Sequence, residues 1–140
     1  MYLVLTASRD TYITNKVIDN KFRATDANVG KAGTLDLFKL YNESTLSGDT
    51  NVFELSRLLL KFDLGKVRDI CSSSLDLNSS FFKAEIKLFD IMSGQANPSN
   101  FNVVGYPLSQ SFDEGVGRDT ASFGDLDVAN FITASFTNAS

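Results

Sequence analysis

The stretch Ser56-Arg57-Leu58-Leu59-Leu60-Lys61-Phe62-Asp63-Leu64 decides how this chain is read. Its even positions, Leu58, Leu60, Phe62 and Leu64, are all apolar. Its odd positions carry Arg57, Lys61 and Asp63, with Leu59 the one exception. Successive side chains of a strand point to opposite faces, so this period of two predicts a β-strand with one face in a core and one mostly in water. Residues 82–88 repeat the pattern, with Phe82, Ala84, Ile86 and Leu88 on one face and Lys83, Glu85 and Lys87 on the other. The outward charges of the two stretches are complementary, and the two are expected to pair.

Working outward, residues 2–6 read as a first strand, Ser8-Arg9-Asp10 as a turn and residues 11–14 as a short second strand. Residues 15–33 are rich in Asn, Asp and Gly and read as a long loop. Residues 34–41 form the next strand. Its parity slips between Leu37 and Phe38, which a β-bulge or burial on both faces would explain. Turn-rich loops follow at 42–51 and 93–100, and residues 65–80 read as a polar connection with one helical turn. Residues 101–108 make a further strand, with Pro107 as an edge marker, and 109–117 a loop. Only the tail, 125–136, has helical spacing, through Leu126, Ala129 and Phe131 or Ile132. Short strands separated by turn-rich loops predict an all-β fold, an antiparallel β-sandwich, as one domain over residues 1–140 with a short helix near the C-terminus.

Composition narrows the function. A net charge of −4, with 13 scattered Lys and Arg, weighs against nucleic acid as a partner. Histidine is absent, which removes Ser-His-Asp and Cys-His catalysis and the commonest zinc ligand. Cys71 is the single cysteine, so neither an intrachain disulfide nor a cysteine metal cluster forms. The apolar run at residues 2–5 is too short for a signal peptide or a membrane span, so synthesis in a cytosol and no membrane partner are expected.

Several stretches resemble one family when taken in order. They are Asp10-Thr11-Tyr12-Ile13, then Asn28-Val29-Gly30 ahead of Leu35-Asp36-Leu37, then Arg57-Leu58-Leu59-Leu60-Lys61-Phe62-Asp63-Leu64 and Ala84-Glu85-Ile86-Lys87-Leu88. Residues 103–108 then lead into Ser111-Phe112-Asp113-Glu114-Gly115-Val116-Gly117. Together they resemble the DNRLRE-type domain, a jelly-roll module similar to carbohydrate-binding modules and found in cell-surface, secreted and phage virion proteins. With loops rich in Asn, Ser, Thr and Gly, the resemblance implies a non-enzymatic structural protein of a phage virion, in the capsid, neck or tail. Such a protein is made in the host cytoplasm and acts through contacts with other virion proteins and with copies of itself. The alternative it implies is a carbohydrate-binding module that recognises a host surface glycan. The family pattern continues with a further strand pair after a segment like residues 129–135. The resemblance therefore implies last strands donated by a partner, or a longer polypeptide.

Each candidate site stands beside a plainer reading. Asp10, Asp26, Asn28 and Asp63 are the candidate ligands of a structural calcium, a hard cation that needs several oxygens at one point. The plainer reading makes Asp10 a turn cap and Asp63 a solvated strand residue. No other cofactor is expected. Asp113 and Glu114 are adjacent carboxylates, but a glycosidase pair must flank one bond, and a solvated acidic turn explains them better. No residue is assigned a catalytic role. Tyr2, Tyr12, Tyr41 and Tyr106 are placed in strands, where packing competes with sugar stacking. Phe38, Leu59, Phe89 and Ile91 break the alternation and are the candidate subunit contacts; a covering layer of loops is the rival explanation. If Leu60 and Phe62 are buried, Ala at either costs about 2–5 kcal/mol by urea denaturation. Near-neutral values at both would overturn the strand.

Overall fold

The computed structural model describes residues 2–41, 53–71, 75–91, 101–121 and 128–133. Along the chain the elements are β1 (Ala7–Thr14), β2 (Val17–Ile18), β3 (Phe22–Arg23), β4 (Lys39–Tyr41), β5 (Phe53–Phe62) and α1 (Gly65–Cys71). Among the described residues every strand pair is antiparallel and one short helix is present, which is consistent with an all-β fold. The described residues fall into two compact units, Met1–Asp63 with Gln110–Ser140, and Leu64–Ser109.

In the first unit β5 is the central strand of a sheet ordered β1-β5-β4. Its partners are β1, with Tyr12 opposite Leu58, and β4, with Tyr41 opposite Phe53. Residues 82–88, expected as its partner, are not in the sheet. The strand also runs earlier than its pattern suggests, from Phe53 to Phe62. Alternation holds in part: Glu54 and Ser56 are buried, Leu58, Leu60 and Phe62 half-buried, and Arg57 and Lys61 exposed, but Leu55 and Leu59 are half-buried as well. The deepest positions on the inner face are thus polar, and Leu64 lies beyond the strand, exposed.

The start of the chain differs from its reading. Residues 2–6 are not a strand, and the expected turn at Ser8-Arg9-Asp10 lies inside β1. The register shifts between Ala7 and Arg9, so a bulge absorbs the extra residue, and Ser8 Oγ donates to Lys61 O at 3.1 Å. The loop at 15–33 contains the β2–β3 hairpin. Its turn carries Asp19 and Asn20 at φ of 49° and 54°, the left-handed pair that a type I′ turn requires and that Asp and Asn tolerate. Two-residue arms are too short to show a period. Of residues 34–41 only Lys39–Tyr41 is a strand, although Phe38 extends the pairing through Ser56 N donating to its carbonyl at 3.1 Å.

Among the described residues the buried apolar side chains of this unit are Tyr12, Ile13, Ala24, Ala27, Val29, Phe112 and Ala129; Tyr12, Ala24, Ala27 and Val29 form one cluster, flanked by Ile18, Ala32, Leu35 and Leu58. Side chains complete what the ladders leave open. Asn15 Oδ1 accepts from Leu55 N at 2.8 Å and its Nδ2 donates to Phe53 O at 3.2 Å, continuing the β1–β5 ladder past Thr14 as a peptide group would. Glu54 Oε2 accepts from Val17 N at 2.9 Å. Helical spacing in the tail does not produce a helix at 128–133. Asn130 Oδ1 accepts from the N–H groups of Ile132 and Thr133 at 2.9 and 2.8 Å, and this side-chain turn competes with a helix. The rest of the tail and the turns at 42–51 and 93–100 lie outside the described residues.

The second unit holds α1 and a turn in which Asn78 N donates to Asp76 Oδ1 and Phe82 N to Ser79 O, at 2.9 and 3.0 Å. The helix lies at Gly65–Cys71, within the connection where one helical turn was expected. Residues 82–91 and 101–108 are not strands despite their alternation. Alternation selects faces, but a strand also needs a neighbour for its backbone. Because Leu60 and Phe62 are only half-buried, Ala at either should cost about 1–2 kcal/mol, less than full burial implies, read as a shift in urea midpoint at constant slope.

Candidate functional site

The first unit closes on one side chain, Asn28, which is fully buried. Its backbone bridges Ile13 of β1 in an antiparallel sense. Its Oδ1 accepts from Thr11 Oγ1 and from Gly115 N, the latter at 2.8 Å. Its Nδ2 donates to Asp113 O at 3.2 Å and to Ala129 O at 2.7 Å. Two acceptor sites and two donors are the whole capacity of a carboxamide, and all four are used. One side chain thus joins β1, the 113–115 loop and the segment around Ala129.

Neighbouring groups hold the same junction. Val29 N donates to Tyr12 O at 3.1 Å and Lys31 N to Gly117 O at 2.9 Å, so residues 28–31 lie between β1 and the 113–117 loop. A Cβ on the buried Gly30 would collide with the Gly115 carbonyl oxygen and Glu114 Cγ, which explains glycine at that position. Arg9 Nη1 donates to Phe112 O at 3.1 Å and lies 3.6 Å from Asp113 Oδ1. Across the unit, the Arg57 guanidinium stacks 4.2 Å from the Phe131 ring centroid, and Phe131 N donates to Thr25 O at 3.0 Å.

The Tyr12 hydroxyl is strongly perturbed. Burial pushes its hydroxyl up to about 12, reinforced by the negative charges of Asp36 and Asp119 and by a hydrogen bond to Asp36. A buried phenol donating to a carboxylate resists ionisation, so this group stays a neutral donor at neutral pH.

The four expected calcium ligands are dispersed. Asp10 is exposed on β1, opposite Leu60. Asp26 is exposed in a turn, and Asp63 is exposed just after β5. Among the described residues no three Asp, Glu or Cys side chains come together to hold a metal ion. Both lone pairs of Asn28 Oδ1 are already taken by donors. Of the four candidate contacts, Phe38 and Leu59 are half-buried in the first unit, with Lys16 Nζ 5.7 Å from the Phe38 ring centroid. Phe89 and Ile91 are exposed in the second. The tyrosines divide: Tyr12 is core, whereas Tyr2, Tyr41 and Tyr106 are exposed rather than packed. Asp113 belongs to the Asn28 junction through its carbonyl and to Arg9 through its carboxylate.

The role of Asn28 left little trace in the sequence, because its partners are 17 to 101 residues away. The nearby Gly30 was its only local signal. Compared with family models, curated proteins and solved structures, the chain matches none.

Two expectations follow from this junction. Asn28→Ala should cost about 3–5 kcal/mol, because it strands several buried polar groups, against about 1–2 kcal/mol for Thr11→Val and about 1–3 kcal/mol for Gly30→Ala, by urea denaturation. The second concerns alkali. A folded value raised above the unfolded 10.0 means that the Tyr12 contribution is complete below about pH 10 and is lost as pH rises through about 12. The difference in 295 nm absorbance between wild type and Tyr12→Phe should show that late ionisation, and Tyr12→Phe should flatten the alkaline loss of stability.

Proposed function

We propose that this protein is a non-enzymatic structural component of a phage virion, in the capsid, neck or tail, built on a DNRLRE-type, jelly-roll-like β-sandwich and acting through protein–protein contacts. The observation that carries this reading is the exposed apolar surface of the second unit. Leu77, Phe81, Phe82, Ile86, Leu88, Phe89 and Ile91 are exposed in one stretch, and Phe101, Val103, Val104, Tyr106 and Leu108 in another. Large apolar side chains exposed along two stretches suit a surface that another protein covers. In the first unit, by contrast, the buried polar side chains of Asn15, Asn28, Glu54 and Asn130 serve the scaffold. Mass spectrometry of gradient-purified particles should find the chain in fixed proportion to the major capsid protein. Its absence from particles would remove the proposal.

One observation favours glycan recognition as a second reading. Tyr41 and Phe53 are opposite each other across β4 and β5, both exposed, with Lys39 Nζ 4.9 and 5.9 Å from their ring centroids. Exposed aromatic faces beside a cation suit an oxygen-rich, flat ligand such as a sugar ring. A host-glycan array should then give binding that Tyr41→Ala abolishes, and an array with no signal for the wild type rules this reading out.

A further inference from the structure

Residues 83–89 are exposed along their whole length, and no hydrogen bond joins their backbone to another described residue. In an extended chain Ala84, Ile86 and Leu88 share one side, with Lys83, Glu85, Lys87 and Phe89 on the other. An apolar strand face is buried at low cost only when the backbone groups beside it also find partners. The stretch has a defined start, because Phe82 N is already committed to Ser79 O.

A second copy of this chain satisfies these requirements in one register. A two-fold antiparallel pair sets one residue opposite its own copy and every other pair symmetrically about it. Centred on Glu85, the pair would put Lys83 against Lys87 twice and Glu85 against itself. Centred on Lys87, it would oppose two Lys87 side chains. Centred on Ala84, it would need residues 80–82, which are engaged in the preceding turn. Centred on Ile86, it uses all seven open residues. Glu85 then meets Lys87 twice, Ala84 meets Leu88 twice, and Lys83 lies over Phe89 twice, with Ile86 against Ile86. Opposite charges and apolar pairs directly across a ladder are the stabilising combinations, and like charges the destabilising one.

We infer that residues 83–89 pair antiparallel with the same residues of a second copy, about a two-fold axis at Ile86. The inference deepens the reading of this surface as a protein contact and names its occupant.

The test is charge reversal in the full-length chain, followed by sedimentation velocity over a concentration series. Wild type should sediment as a dimer. E85K and K87E each set like charges opposite each other twice and should weaken dimerisation at least tenfold, while the double variant E85K/K87E should restore it. A cysteine at the axis gives a second readout. In a Cys71→Ser background, Ile86→Cys should form an interchain disulfide on mild oxidation, whereas Ala84→Cys, opposite Leu88, should not. Circular dichroism confirms that each exposed-site variant is folded. A monomeric wild type, a trimer, single variants that dimerise like wild type, or equal crosslinking at 84 and 86 would overturn the pairing. A chain that pairs this way but is missing from particles upholds the pairing and removes the virion reading. A monomer found in particles does the reverse.

Discussion

The first unit depends on one constraint, a buried carboxamide that can be satisfied in only one arrangement of the chain. Asn28 has two donors and two acceptor sites, and all four are matched by groups from three separate places in the sequence. Burying an amide without partners costs several kcal/mol, so misplacing β1, the 113–115 loop or the Ala129 segment is penalised at once. Apolar burial is not so discriminating. The apolar core is small, and three of its seven described members are alanines, so shape alone would specify little. The polar junction supplies the specificity that a larger core would provide by packing.

The same logic recurs at the sheet edges. Strands here are short, and where a ladder runs out a side chain continues it. Asn15 acts as a further peptide group against β5, Glu54 receives the β2 amide, and Asn130 folds its own segment into a turn. Glu54 and Ser56 occupy the deepest inner positions of the central strand for this reason. Polar residues on the inner face are components of the ladder, not defects in the hydrophobic pattern.

The second unit follows the opposite rule. Most of its large apolar side chains are exposed and α1 buries none of its residues. The first unit matches several of its buried polar side chains internally, whereas residues 83–89 of the second leave apolar side chains exposed and make no backbone hydrogen bond to another described residue. That division of labour, a self-contained scaffold and a surface suited to a partner, underlies the proposed role in assembly.

Period-two alternation identified β5 correctly, because a strand's side-chain geometry is written in consecutive residues. It also identified the antiparallel, strand-dominated class. The sequence by itself determined which residues are able to face a core together. It did not determine who pairs with whom. Residues 82–88 alternate as cleanly as β5, yet β1 takes the place beside it, because pairing depends on neighbours distant in the chain. Asn28 shows the limit most sharply. As a letter it was an oxygen donor suited to calcium; in the fold its oxygen is filled by Thr11 and Gly115. Hydrogen-bond capacity is a property of the residue, and so is visible in the sequence. How that capacity is spent depends on groups up to 101 residues away, and only the tertiary structure brings them within reach.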